Sequence, residues 1–324
     1  MEEPDSRISA SAGSTLDLLA PTIFHELWWL EIATSGRYCL AEVREQAKVV
    51  GRLPYYPYKR MLGRSVIGLP PLTHFLGPAI AELAGKPNMG FFRRLEITKK
   101  LLRQLPKTSA CYVKCHRDVT DVLAFQCEGF RAGVQFTHEV HPQAPELIWH
   151  NLRRSTRNRI RRAGETHVVT SGDDPVEFMR FYARTIALRK GQNNYMDIQV
   201  HSDLIGACLQ RSRGRIYQAK QRDGRNVGAI FCAWDNVSSY YLMTCQDSTA
   251  HSGVTSLLVW EAINEAIRRN LIFDFDGVSS EAGARSASNF TAIVSPRYTA
   301  TRESACMRVL RATKSVFSQK NFFY

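Results

Sequence analysis

The chain has 324 residues, of which 44% are hydrophobic and 23% charged, and a formal net charge of +13. This composition excludes a chain too polar to fold and a small domain that needs disulfide staples, and the length fits two domains. The excess of 43 Lys plus Arg over 30 Asp plus Glu favours polyanionic partners: nucleic acid, pyrophosphate-bearing cofactors or anionic lipid.

The start, MEEPDSRISASAGS, is acidic and polar, with no apolar stretch of the kind a secretory signal carries. Residues 1–14 read as disordered. Residues 37–61, RYCLAEVREQAKVVGRLPYYPYKRM, read as two strands joined by a polar turn. The window 65–81, SVIGLPPLTHFLGPAIA, has no charged residue, but prolines and glycines interrupt it and it is too short to span a bilayer as a helix. It reads as a buried or lid-like loop. A basic helix (91–105), a strand (109–117), a short helix (118–130) and a strand (133–140) follow. Alternation puts Cys111, Val113 and Cys115 on one strand face. Most of the eight cysteines lie in apolar runs, so they read as reduced, buried and cytoplasmic rather than as a disulfide framework.

Between the halves lies NLRRSTRNRIRRAGE (151–165), with six arginines from Arg153 to Arg162. Leu152, Thr156, Ile160 and Ala163 recur at helical spacing and form a narrow stripe. The segment therefore reads as a helix over 147–163, docked by one edge and basic elsewhere. The second half then offers a hairpin (215–234) turning at Asp223-Gly224, a strand (238–247), a helix (252–270), the strand LIFDFDG (271–277) and a strand 297–302. The order helix, strand, helix, strand occurs twice, which suggests an internal duplication.

In YYLMTCQDSTAHSGVTSLLVWEAI a strand ends near Gln246 and a helix begins near Gly253. Small residues at a helix N-terminus form an anion site suited to pyrophosphate. The candidates to line it are Gln246, His251, Ser252, Gly253, Val254 and Thr255. Asp276 sits at the carboxyl end of the next strand, where a βα unit places function. Other groupings are blander. His138 and His141 fall on opposite faces of a strand, so joint metal ligation is not expected, and no metal site is read. The C-terminal segment 306–324 has the pattern of a basic amphipathic helix, suited to packing or to a membrane surface.

The loop and helix at 246–264, with LIFDFDG behind them, resemble the acyl-coenzyme A site of the GNAT acyltransferase superfamily. TIFHELWWLEIA (with Trp28 and Trp29), PPLTHFLGP, LIWHNLRRSTRNRIRRAGETHVVT and FDFDGVSS…NFTAIVSPRYTATR resemble, in order, elements of its tandem-GNAT, FemAB-like branch. Two departures stand out. The usual phosphate loop, Q/R-x-x-G-x-G/A, here keeps one glycine, Gly253, and Asn289 stands before Phe290 where tRNA-using Fem transferases usually carry lysine. Arg285 and Arg297 are candidate substitutes.

The resemblance implies a mixed α/β fold of two GNAT-like domains in tandem, each a mixed twisted sheet flanked by helices. The expected division is 15–145 and 146–324, the latter including the Arg-rich linker helix. The implied reaction is acyl transfer to an amine, with acyl-CoA as co-substrate and no tightly bound cofactor. Backbone N–H groups where strands 239–246 and 271–276 splay would polarise the carbonyl. Asp276 is the candidate base, with Glu281 second, and Tyr241 or Tyr298 would protonate the leaving group. Arg153, Arg157 and Arg161, on one face, with Trp28 and Trp29, are candidates to meet a phosphorylated or lipid-linked acceptor on the cell envelope. Two alternatives stay open: an aminoacyl-tRNA-dependent transferase, and a basic RNA-binding protein without catalysis, although no RNP, KH, zinc-finger or helix-turn-helix signature is present. The expected location is the cytoplasm, with peripheral contact at the inner face of a membrane.

Overall fold

A computed structural model describes residues 18–59, 63–81, 87–187, 197–276 and 281–308. The expected disordered start, Gly277 and most of the C-terminal amphipathic segment lie outside these residues. The strands are β1 (Cys39–Glu45), β2 (Lys48–Lys59), β3 (Ser65–Gly68), β4 (Ala79–Ile80), β5 (Ala110–Lys114), β6 (Arg131–Val140), β7 (His167–Gly172), β8 (Gly214–Gln221), β9 (Asn226–Trp234), β10 (Ser238–Gln246), β11 (Ile272–Asp274) and β12 (Ile293–Glu303). They form one mixed sheet in the order β1-β2-β3-β5-β12-β6-β11-β10-β9-β8-β7, with β4 added to β2. The helices are α1 (Leu27–Thr34), α2 (Pro87–Arg103), α3 (Leu123–Cys127), α4 (Pro145–Asn151), α5 (Arg154–Thr166), α6 (Pro175–Ala187), α7 (Ile198–Gln210), α8 (Val254–Arg268) and α9 (Glu281–Ser288).

Both ends of the chain cross the linear division at 145/146. At the start, Phe24, Trp29 and Leu30 are fully buried in a core with Phe178 of α6, Leu204 of α7, and Phe231 and Tyr240 of β9 and β10. Each such side chain contributes about 1.5–3 kcal/mol of apolar burial. At the end, β12 inserts between β5 and β6, pairing antiparallel with both. Cys111, Val113 and Cys115 do share one face, in a core with Leu101 and Phe125. Among the cysteines, Cys127 and Cys306 are exposed, against the expectation from their neighbours; Cys111, Cys115, Cys208, Cys232 and Cys245 are buried, and all eight are free thiols.

The arginine segment is two helices, not one. Leu152 and Arg153 adopt extended ψ angles of 144° and 138° between α4 and α5. The stripe Leu152, Thr156, Ile160 and Ala163 is buried as its spacing requires, against α8 residues including Val254, Leu258 and Ala262. The Arg157 guanidinium folds back onto the end of α4, donating to the carbonyls of Trp149 (3.3 Å), His150 and Leu152 (2.8 Å). Trp149 O also accepts from Leu152 N at 3.3 Å; carbonyls at a helix end are short of intrahelical partners, and a cation there also meets the negative end of the helix dipole. Arg157→Ala is therefore expected to cost about 1–2 kcal/mol of stability, read as a lower thermal midpoint, with the Michaelis constant for any phosphorylated substrate unchanged. A raised Michaelis constant at full stability would return Arg157 to substrate binding.

Candidate active site

Strand pairing brings four ionisable residues from four neighbouring strands to one sheet face. Thr299 of β12 lies opposite Lys114 of β5, and Asp274 of β11 lies opposite Glu139 of β6. Period-two alternation along β12 adds Arg297 to the same face. Arg297 Nη2 donates to Glu139 Oε1 and, at 3.0 Å, to Asp274 Oδ2. Arg117 Nη2 donates to Glu139 Oε1 at 2.7 Å, Ser295 Oγ to Glu139 Oε2 at 2.8 Å, and Thr137 Oγ1 to Asp274 Oδ1. Burial pushes the Glu139 carboxyl up, but Arg117 and Arg297 outweigh it and hold the group below its ordinary range. At Asp274 burial prevails over Arg297, and the carboxyl is pushed up.

Beside this network sits a second group, built on the loop between β3 and β4. His74 Nδ1 donates to Asp276 Oδ2, and Lys114 Nζ lies 3.9 Å from Asp276 Oδ1. The Asp276 and Lys114 side chains are 2% and 5% exposed. His74 Nε2 and Asp276 Oδ1 are buried without a hydrogen-bond partner. Burial, and next the charge of Lys114, holds the His74 imidazole well below its ordinary value. Burial likewise lowers the Lys114 ammonium, to about 8. An uncharged ring with Nδ1–H on Asp276 would hold a lone pair on Nε2.

The loop that carries His74 is pinned from three sides. Leu76 bonds the carboxyl end of β5 and the residues after it, through Leu76 N to Lys114 O (2.9 Å) and His116 N to Leu76 O (3.1 Å). Trp29 Nε1 donates to Thr73 Oγ1 at 2.9 Å. His25 Nε2 and His116 Nε2 meet the carbonyls of Gly77 (3.2 Å) and Pro78 (3.0 Å). Asp276 follows β11 by two residues in a left-handed conformation (φ 52°), with its N–H on Asp274 Oδ1 at 2.8 Å. That uncommon geometry for a non-glycine residue turns the carboxylate toward His74.

The sequence-derived candidates divide. Asp276 belongs to this site. Glu281 does not: it is 78% exposed and pairs with Arg285 one helical turn on. Tyr241 packs against Phe273 and Phe275, on the opposite face from Asp274, and Tyr298 packs on the α2–α3 core, on the opposite face from Arg297. Trp29 is fully buried and braces the His74 loop; Trp28 donates to Glu26 (2.6 Å) and lies under Arg211. Trp29 is thus internal and Trp28 partly exposed. Arg153 is an exposed residue ahead of α5, and Arg161 stacks on Trp149. Arg297, offered as a stand-in for the missing lysine, is a member of the buried network, whereas Arg285 is at the surface. His141, just past the end of β6, lies with Nε2 3.3 Å from Glu139 Oε2. Sequence reading missed His74, Lys114, Arg117 and Glu139. Lys114 carried the available signal, as the charged residue on the face opposite Cys111–Val113–Cys115.

The phosphate-loop candidates do come together, but they are engaged with one another. Gln246 Oε1 accepts from Thr255 N (3.3 Å) and Thr255 Oγ1 (2.7 Å). His251 Nδ1 accepts from Gly253 N (3.1 Å), and His251 O from Val254 N (3.0 Å). A Cβ on Gly253 would stand 2.4 Å from the Arg159 carbonyl oxygen, so this glycine admits α5 rather than leaving open space for a ligand. The splay is present: β10 and β11 pair only over Ser238–Tyr240 and Ile272–Asp274. Beyond it, Phe275 N is taken by His138 O at 2.9 Å.

With this geometry in hand, residues 150–282 match the family model for an acetyltransferase (GNAT) domain. FemX shares 13% identity and a TM-score of 0.63, over 84% of this chain and 90% of that one. L-PGS from Bacillus licheniformis shares 12% identity and a TM-score of 0.53, over 88% and 90%. A conserved protein of unknown function from Bacteroides thetaiotaomicron shares 11% identity and a TM-score of 0.54, over 84% and 91%. No curated protein sequence matches the chain. Residues 150–282 thus match a GNAT domain, and the chain as a whole has a fold like that of FemX.

Proposed function

We propose that the chain is an N-acyltransferase in which His74 is the general base, Asp276 orients it and Lys114 polarises the donor carbonyl. The observation that carries this reading is the His74–Asp276 pair, its aspartate buried and its ring 26% exposed with Nε2 unpartnered, beside a buried ammonium. An acceptor amine attacks the carbonyl carbon of a thioester or ester, and His74 Nε2 takes its proton. Charge builds on the carbonyl oxygen, where the Lys114 ammonium offsets it in a medium of low dielectric constant. Collapse expels the thiol or alcohol, protonated by the His74 imidazolium. Lys114 takes the part that the sequence reading gave to backbone amides, since those of Phe275 and Asp276 are bonded within the chain.

The leading donor is acyl-CoA, and the acceptor an amino group on a cell-envelope saccharide or a small amine. A second donor, aminoacyl-tRNA, is favoured by one observation: Gln246 and His251 occupy the amides that would hold pyrophosphate. The test is incubation with acetyl-CoA, a long-chain acyl-CoA or an aminoacylated tRNA pool, with glucosamine as the amine, and amide product read by mass spectrometry. Product from one donor class supports the reading and names the donor. No product from any of the three overturns it.

The pH dependence follows from the two shifted groups. His74 stays unprotonated, and able to accept a proton, to well below pH 6.5. Lys114 loses its charge as pH rises through about 8. Turnover should therefore be flat from about pH 6.5 to 7.5 and fall above about 8, and Lys114→Arg, with a charge that persists, should remove the alkaline fall. A Lys114→Arg enzyme that keeps the same fall near pH 8 would assign that limb to another group.

A further inference from the structure

A cluster of arginines lies at the opposite end of α8 from the α5 arginines. The turn after α7 supplies Arg211 and Arg213, the start of β8 Arg215, and the end of α8 Arg268 and the next residue, Arg269. Contacts join them. Arg215, Arg268 and Arg269 all pair with Glu265, at 3.6, 2.7 and 2.8 Å. Arg269 lies over the Trp234 ring at 4.5 Å, and Trp234 N donates to Arg213 O at 2.9 Å. Arg213 reaches Asn236 Oδ1 at 2.9 Å, and Arg211 lies over Trp28 at 4.7 Å. Three of these five guanidinium groups pair with one carboxylate, Glu265, while Glu26 is bonded to Trp28 and the neighbouring Asp235 to Tyr240. Glu265, its side chain 12% exposed, is already shared three ways.

Two apolar side chains flank this cluster in the open. Leu27, next to Trp28, and Val237, next to Asn236, are each 45% exposed. From this juxtaposition we infer that the corner formed by residues 26–28, 211–215, 236–237 and 268–269 is a docking surface for an anionic phospholipid bilayer. Basic residues near an anionic leaflet gain attraction that exposed apolar residues complete by entering the interface. A single-stranded nucleic acid fits less well. It would need open aromatic faces for base stacking, whereas the Trp28 and Trp234 rings lie under Arg211 and Arg269. Among the described residues no helix is long and apolar enough to cross a membrane, so contact through this corner would be peripheral. The inference is independent of the transfer reading.

The test is sedimentation of the full chain with vesicles of phosphatidylcholine alone or with about a third phosphatidylglycerol. Binding is expected only to the anionic vesicles. Arg213→Gln with Arg268→Gln should weaken it about 25-fold, at about fivefold per charge removed, and Leu27→Asp with Val237→Asp should weaken it further. A 20-nucleotide RNA serves as the competing probe. RNA binding that depends on the same arginines and ignores Leu27 and Val237, with no vesicle binding, would overturn the inference in favour of nucleic acid. Equal binding of wild type and the arginine variant to anionic vesicles would overturn it outright.

Discussion

Asp276→Asn is expected to lower turnover by about two to four orders of magnitude, more than its loss of stability accounts for. The Asp276 carboxylate bonds the ring that takes the proton, and its second oxygen, without a hydrogen-bond partner, faces the Lys114 ammonium at 3.9 Å. An amide at this position can present its own N–H to His74 Nδ1. The ring would then take the other tautomer, with hydrogen on Nε2, and could not accept a proton there. His74→Ala should cost a similar factor, and the double variant little more than either single one, because residues that act as a unit lose their effect together. Losses that multiply in the double variant would mean that the two residues act separately. The thermal midpoint of the three variants, measured alongside, separates chemistry from unfolding.

Arg297→Met should be the most destabilising of the changes considered. The Arg297 side chain is 4% exposed and pairs with Glu139 and Asp274, which are themselves 5% and 0% exposed. Removing it leaves two buried carboxylates with Arg117 at the margin, and breaking a buried pair from one side costs about 3–5 kcal/mol. For a chain of this length the thermal midpoint should drop by on the order of 10 °C. Adding Glu139→Gln and Asp274→Asn to the same chain should recover part of the loss, because the uncompensated charges are then gone. An Arg297→Met protein that melts with the wild type would show that the network contributes nothing net.

Most of the strands and helices were legible in the sequence, because period-two and period-3.6 patterns are local. The hairpin at Asp223-Gly224 forms as read, with Gly224 at φ 84°, and the α5 stripe is buried residue for residue. The break between α4 and α5 was not legible, because it is stabilised by one side chain, Arg157, reaching back over the previous helix. Long-range pairing was equally hidden. Nothing in the pattern of β12 says that it lies between β5 and β6, yet that placement brings Lys114, Arg297, Glu139 and Asp274 together. Asp276 was singled out because position after a strand is a local signal. His74 was not, since its loop reads only as an uncharged, proline-broken stretch, and its role depends on a partner 202 positions away. The residues of the 246–255 loop contact one another. What the sequence could not show was that Gln246 and His251 would spend the loop's amides on the chain itself.

The central claim is that His74 takes the acceptor's proton. It is tested most directly by the turnover of His74→Ala, with and without added imidazole, using the donor that the product assay selects. The expected result is a loss of at least about 100-fold, partly restored by imidazole entering the vacated space. A variant that turns over at the wild-type rate without imidazole would contradict the assignment and with it the proposed mechanism.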